Sequence, residues 1–270
     1  VAFSSGTAAL HGAAFAAGLG PGDEAITTPF TFCATANCVL YMGATPIFAD
    51  VCSDTLNIDP EQVARRITSR TKVILPVDYA GHPALLDELL ELAERHDLVV
   101  IEDAAQGMNA YYKGNPLGTI GDLGCVSFHD TKNVSCGEGG AIFINDLSLK
   151  QSAEIIREKG TDRSAYFRGE IDKYEWKGLG SSYLLSDILA AKLLAQLEEV
   201  RLITKQRKKE LKGSSKSSLD TIESVGIERK RALLRFFGSF DQITKASPND
   251  LMKVTGVGKK TADIIFRDLH

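Results

Sequence analysis

No apolar stretch in the 270-residue chain approaches the roughly 18 residues that a membrane-spanning helix requires. The opening VAFSSGTAAL has no basic segment ahead of an apolar one, so a secretory signal is not expected and the expected location is cytoplasmic. Cysteine is scarce. Cys33, Cys38, Cys52, Cys125 and Cys136 form an odd set without a C-x-x-C pair, which speaks against a disulfide framework and a zinc site and leaves the expected metal at none. Disorder is excluded by 44% apolar residues, enough to bury a core in one large domain or two modest ones.

The net charge of −4 conceals a division. Residues 1–200 hold 15 Lys and Arg against 27 Asp and Glu, a net of −12, whereas residues 201–270 hold 16 against 8, a net of +8. Such asymmetry points to two modules with different partners, the basic one being a candidate for nucleic acid. The boundary falls in the stretch Lys205-Gln-Arg-Lys-Lys-Glu-Leu-Lys-Gly-Ser-Ser-Lys-Ser-Ser218, which reads as a basic linker over 206–218 or the frayed end of a helix.

Ahead of that boundary, strand-like and helix-like segments alternate. Runs rich in β-formers occur at Ala25–Thr28, Pro46–Val51, Lys72–Val77, Leu98–Glu102, Cys125–Phe128 and Ala141–Ile144. Helical patterns at Thr7–Leu19, Pro60–Ser69 and Ala84–His96 separate several of them, and a long helix over Ser186–Arg207 follows with a Leu189, Leu193, Leu197 packing stripe. This rhythm predicts an α/β fold with a mostly parallel sheet, helices on both faces and a ligand at the carboxyl ends of the strands.

Three places look chemical. Ser4-Ser5-Gly6-Thr7 opens straight into an Ala-rich helix, an arrangement that serves either as a helix cap or as a phosphate site. Val99-Val-Ile-Glu-Asp103 is a buried strand ending in two carboxylates, which cap a helix or face a ligand. Ser127-Phe-His-Asp-Thr-Lys132-Asn places a lysine a few residues beyond a strand. A lysine nucleophile, an aspartate for a pyridinium nitrogen and a helix N-terminus for phosphate are the groups a pyridoxal phosphate site requires.

Residues 1 to about 205 strongly resemble the DegT/DnrJ/EryC1/StrS family of sugar-nucleotide aminotransferases. The resemblance rests on SSGTAAL, PGDEAITTPFTF, DTLNIDP, VDYAGHPA, VVIEDAAQG, GTIGDLGCVSFHDTKN, CGEGGA and the segment from AEIIREKGTDRSAYF to SSYLLSDILAA. That last segment, with Gly180-Ser181-Ser182, looks most like the dTDP-4-amino-4,6-dideoxygalactose transaminase branch.

The resemblance implies the large domain of a fold-type I pyridoxal phosphate-dependent transferase. By position it makes Lys132 the Schiff-base lysine and proton shuttle, and Asp103 the partner of the ring nitrogen. Gly6, Thr7 and Ser127 match the phosphate site, Phe32 the ring-stacking aromatic, Gln106 the neighbour of the phenolic oxygen, and His129 a polar neighbour of substrate and lysine. The implied reaction moves an amino group from L-glutamate to a dTDP-4-keto-6-deoxyhexose in a homodimer. The match begins almost at the phosphate turn and stops after the long helix, so the family's N-terminal segment and C-terminal small domain are expected to be missing, with catalysis weakened accordingly.

From about 219 to 270 the pattern changes. Leu219–Ile227 with Arg229-Lys-Arg, and Leu251-Met-Lys-Val-Thr-Gly-Val-Gly258-Lys-Lys, repeat a helix, a tight glycine turn and a helix. The glycines of such hairpins let backbone N–H groups approach a phosphate while lysine and arginine add charge. The expected DNA contacts are Gly226, Arg229, Lys230, Gly256, Gly258, Lys259 and Lys260. The first turn, Ser224-Val-Gly226, has one glycine fewer. The tail resembles the tandem helix-hairpin-helix domain of the bacterial excision-repair nuclease, implying sequence-independent DNA binding without cleavage. Nothing physical joins the two parts, so a chimeric chain with independent halves is the simplest expectation.

Overall fold

The computed structural model describes residues 1–214, 222 and 225–269. The chain divides into two compact units, residues 1–204 and 205–270.

The first unit is built on β1 (Ala2–Phe3), β2 (Glu24–Thr27), β3 (Thr45–Phe48), β4 (Thr71–Ile74), β5 (Val99–Asp103), β6 (Tyr111–Tyr112), β7 (Asn115–Pro116), β8 (Leu123–Ser127) and β9 (Gly140–Ile144). Its helices are α1 (Gly6–Ala16), α2 (Ala34–Tyr41), α3 (Pro60–Ala64), α4 (Leu86–His96), α5 (Lys150–Arg157), α6 (Arg163–Phe167) and α7 (Asp187–Glu198). One sheet has the order β1-β9-β8-β5-β4-β2-β3, while β6 and β7 form a separate hairpin. β3, β2, β4, β5 and β8 are parallel; β9 and β1 join antiparallel at one end. β3 lies at the opposite edge, where Pro46 is tolerated because an edge strand needs fewer ladder donors.

Strand periodicity divides the core. Val73, Leu75, Ile101, Leu123 and Cys125 pack to one face with α1, α2 and α5, whereas Ile74, Val100 and Val126 pack to the other with α3 and α4. α1 is an alanine helix buried over most of its surface, so it approaches the sheet closely. At Gly12 an added Cβ would stand 2.7 Å from the Phe3 ring.

The long helix expected over Ser186–Arg207 is two helices. α7 ends at Glu198, and α8 (Val200–Ser214) starts beyond Glu199, whose φ of −99° and ψ of 11° lie outside helical values. The expected linker is likewise helical as far as Ser214, because Lys, Arg, Gln, Glu and Leu are good helix formers even when strongly charged. Its remainder, 215–218, lies outside the described residues.

In the second unit, α9 (Ile227–Phe237), α10 (Phe240–Thr244), α11 (Pro248–Leu251) and α12 (Lys259–Leu269) enclose a core that includes Leu233, Ile243, Leu251, Val254, Ala262 and Ile265. Ser247 starts α11 with a full capping box to Asp250 and with Pro248 just inside, a combination that fixes the entry of the second hairpin. Most of the first repeat's leading segment, 219–221 and 223–224, lies outside the described residues. Among the described residues no helix is long and apolar enough to cross a membrane.

Candidate active site

The carboxyl ends of β5 and β8 and the amino end of α1 converge on a cleft of about 420 Å³. Gly6, Thr7, Phe32 and Asp103 line it, as do Gln106, Ser127, His129 and Lys132. All eight residues singled out from the sequence for this site therefore share one cavity. A second cavity of about 330 Å³ is bordered by the same Gln106 and Lys132 together with Met108 and Asn133.

At one wall, Ser5 caps α1 by accepting the Ala8 N–H at 3.0 Å. The N–H groups of Gly6 and Thr7 belong to the first turn and have no intrahelical acceptor, so they and the helix dipole suit an anion. Glycine is required here. A Cβ on Gly6 would come within 2.8 Å of Ser127 Cβ, so the α1 backbone presses directly on the end of β8.

The two carboxylates of β5 separate by strand alternation. Glu102 turns away and accepts three backbone N–H bonds, from Gly118 at 2.9 Å, Ile120 at 2.7 Å and Gly121 at 2.6 Å. Asp103 turns to the cleft, only 5% exposed. Its Oδ2 accepts from the Thr35 hydroxyl at 2.7 Å and its Oδ1 from the Ala105 N–H at 3.2 Å. Burial pushes its pKa above the usual carboxylate range, opposed by these two bonds and by the charge of Lys132.

Lys132 lies in the loop from Phe128 to Gly139 that turns β8 back into antiparallel β9. Bonds from Phe128 N to Gly139 O at 2.8 Å and from Cys136 N to Phe128 O at 3.0 Å close the loop's base, and Val134 and Cys136 are buried beneath it. The half-buried lysine is thus carried on an anchored loop. His129 sits between carboxylates: its Nδ1 is 2.8 Å from Asp130 Oδ1, and its Nε2 is 3.5 Å from Glu138 Oε1. The Thr131 N–H also donates to Nδ1, at 3.2 Å.

Gln106 Oε1 accepts the Ala80 N–H at 2.7 Å, which fixes the amide's orientation. Phe32 is 74% exposed beside the cleft. Sequence reasoning missed Thr31, Thr35, Tyr79, Thr131 and Glu138. Tyr79 also lines the cleft and packs on Phe30 with ring centroids 4.6 Å apart. Tyr79 stands inside the segment VDYAGHPA, its only signal in the sequence, whereas Thr35 lies three residues beyond PGDEAITTPFTF. Behind the cleft wall, Asp78 is buried with its pKa pushed up to about 7 by burial; it keeps one bond, from the Ala84 N–H at 3.1 Å.

In the second unit, Gly226 is the N-cap of α9, with Arg229 and Lys230 in its first turns. Gly256 has a φ of +86°, and Gly258 leads into α12 at Lys259 and Lys260. Arg229 Nε donates to the Gly256 carbonyl at 2.9 Å, so this arginine ties the first hairpin's helix to the second hairpin's turn.

A sheet of mainly parallel strands that brings a lysine, a buried carboxylate and a helix N-terminus to one cleft is the large-domain architecture of fold-type I transferases. The model of the DegT/DnrJ/EryC1/StrS aminotransferase family matches residues 1–240, and the chain belongs to that family. The chain is 42% identical over 200 residues to GDP-perosamine synthase of Caulobacter vibrioides, covering 74% of this chain and 52% of that protein. The solved aminotransferase of Psychrobacter cryohalolentis is 37% identical with a TM-score of 0.69, over 74% of this chain and 51% of that one. The structure of DesI in the presence of its TDP-sugar product is 32% identical with a TM-score of 0.70, over 83% and 54%. The chain spans about half the length of the curated relatives it matches. The model of the SAM-like helix-hairpin-helix tandem matches residues 216–269.

The family's cofactor is pyridoxal phosphate, and the residues of the cleft fit it. The Gly6 position, too tight for a Cβ without a shift, leaves room for backbone donors to meet a phosphate; Asp103 is a carboxylate of the kind a pyridinium nitrogen needs, and Lys132 carries an amine on the same cavity.

Proposed function

We propose that this chain binds pyridoxal 5'-phosphate in the cleft and carries out sugar-nucleotide transamination, with L-glutamate as amino donor and a dTDP-4-keto-6-deoxyhexose as acceptor. The observation that supports it is the convergence of Lys132, Asp103 and the α1 N-terminus on one cavity. Gly6, Thr7 and Ser127 would hold the phosphate, Phe32 the ring face and Gln106 the phenolic oxygen. When bound, the cofactor supplies an electron sink for the pair released at the substrate's reacting carbon. Lys132 Nζ takes and returns the proton there, Asp103 holds a proton at the ring nitrogen, and His129 orients polar groups beside the lysine.

The same reading assigns a homodimer in the cytoplasm. Trp176 and Ile188 are 77% and 82% exposed, large apolar surfaces that a second copy would cover. All five cysteines are free thiols, which suits a reducing compartment. The test is spectroscopic. Pyridoxal phosphate added to the chain should give a visible band absent from Lys132→Ala, bleached by L-glutamate and restored by 2-oxoglutarate. Equal spectra for the two proteins contradict the proposal.

A second reading concerns the tail. The double-glycine turn ahead of Lys259 and Lys260 favours sequence-independent binding to DNA junctions of the kind met in excision repair. Gly226, Arg229, Lys230, Gly256, Gly258, Lys259 and Lys260 would form the contact surface. A fluorescently labelled duplex with a single-stranded arm should bind with an affinity that falls steeply with salt. Absence of binding at low salt contradicts this reading, and failure of both assays leaves the inert chimera.

A further inference from the structure

The first turn of α2 brings Thr35, fully buried, against the end of β5. Its Oγ1 lies 2.7 Å from Asp103 Oδ2, 2.7 Å from Thr31 Oγ1 and 3.1 Å from the Phe32 carbonyl. A threonine hydroxyl has one proton to give and lone pairs to accept with, whereas an ionised carboxylate only accepts. The proton of Thr35 therefore goes to Asp103, the shorter and charge-assisted contact. Thr31 must then donate to Thr35. The result is a directed chain, Thr31 O–H to Thr35 O–H to Asp103, that starts beside Phe32 and ends on the buried carboxylate.

We propose that Thr35 is a positioning residue that anchors and aims the Asp103 carboxylate and, through Thr31, couples it to the aromatic loop at the cleft. One hydroxyl chain thereby sets two sides of the cleft together, the ring-nitrogen side at Asp103 and the ring-face side at Phe32. Thr35 is the stronger of the two hydrogen-bonding influences that pull the Asp103 pKa back down against burial. The other, the Ala105 N–H, bonds at a longer 3.2 Å. Bonds in such a chain polarise one another, so removal of either hydroxyl weakens the contact that remains.

The inference rests on Asp103 as the partner of the cofactor's ring nitrogen, and its test keeps the two separable. Thr35→Val preserves shape and removes the hydroxyl; Thr35→Ser preserves the hydroxyl. In the full chain loaded with pyridoxal phosphate, Thr35→Val should weaken cofactor affinity by roughly tenfold or more, as loss of a bond to a charged group does. It should also displace the pH midpoint of the visible band, and Thr35→Ser should restore both. Thr31→Val should act in the same direction but add little on top of Thr35→Val. A valine variant that matches the wild type, or a serine variant as impaired as the valine, overturns the inference. If the wild type takes up no cofactor, the functional proposal fails and the hydroxyl chain is tested in the apoprotein. There, Thr31→Val and Thr35→Val should be non-additive in urea unfolding, and additive losses overturn it.

Discussion

Glu102 and Asp103 are adjacent on one strand and their carboxylates do opposite jobs: Glu102 is filled by three backbone N–H bonds from the loop before β8, and Asp103 faces the cleft. The pair turns a single sequence step into a fold anchor and a chemical group.

Substitution should separate these roles. Glu102→Gln removes the charge and turns an amide NH2 toward backbone donors, so unfolding stability should fall by about 2 kcal/mol or more. Urea denaturation of the apoprotein measures it, and an unchanged midpoint contradicts the anchoring role.

Asp103→Asn should do the reverse. Because folding raises the Asp103 pKa, its stabilising contribution is complete below the unfolded value and is lost as pH rises through the folded one. The asparagine variant should therefore be more stable than wild type in alkaline buffer, with the advantage shrinking toward acid pH. Its cofactor band should no longer respond to L-glutamate.

Asp78 gives a sharper pH signature. With a folded pKa of about 7, Asp78 by itself should take away stability between roughly pH 4 and pH 7, by about 1.4 kcal/mol per unit, and add no further loss above. Asp78→Asn should remove that contribution, so that its stability relative to wild type rises between roughly pH 4 and pH 7 and reaches a gain on the order of 4 kcal/mol at pH 8. Parallel curves for the two proteins exclude a buried, proton-holding Asp78.

Gly6→Ala tests the phosphate wall. The new Cβ meets Ser127 Cβ at 2.8 Å, so α1 or β8 must shift, at a cost of about 1 to 3 kcal/mol. Cofactor affinity should drop more than stability alone explains, measured by equilibrium dialysis. Unaltered affinity contradicts Gly6 as part of the phosphate site.

In the tail, Lys259→Ala with Lys260→Ala should lower the salt dependence of DNA binding by about two charges and leave the melting temperature in place. Arg229→Ala should lower the melting of the second unit, because its Nε holds the Gly256 carbonyl. The reverse pattern would assign the phosphate contact to Arg229 alone.

Much of this site is legible in the sequence because strand ends announce themselves. The apolar runs that become β5 and β8 end at Asp103 and Ser127, both of which line the cleft, and the Ser-Gly-Thr turn marks the start of α1. α2 is silent: within ATANCVLY its alanines and leucine are interrupted by Thr, Asn, Cys and Val, and its N-cap, Cys33, offers no side-chain cap. Its Thr35 consequently carries no signal of its own. The division between Glu102 and Asp103 is hidden too, since the N–H groups that fill Glu102 lie 16 to 19 positions further along. The charged run to Ser214 resembles a linker by composition yet is helical, because charge alone says nothing about the backbone.

The most direct measurement is to add pyridoxal phosphate, reduce with borohydride and locate the cofactor-bearing peptide by mass spectrometry. A single label on Lys132, lost in Lys132→Arg, is the predicted result. Label absent, or spread over surface lysines with Lys132 no more reactive than the rest, would contradict a cofactor site in this cleft.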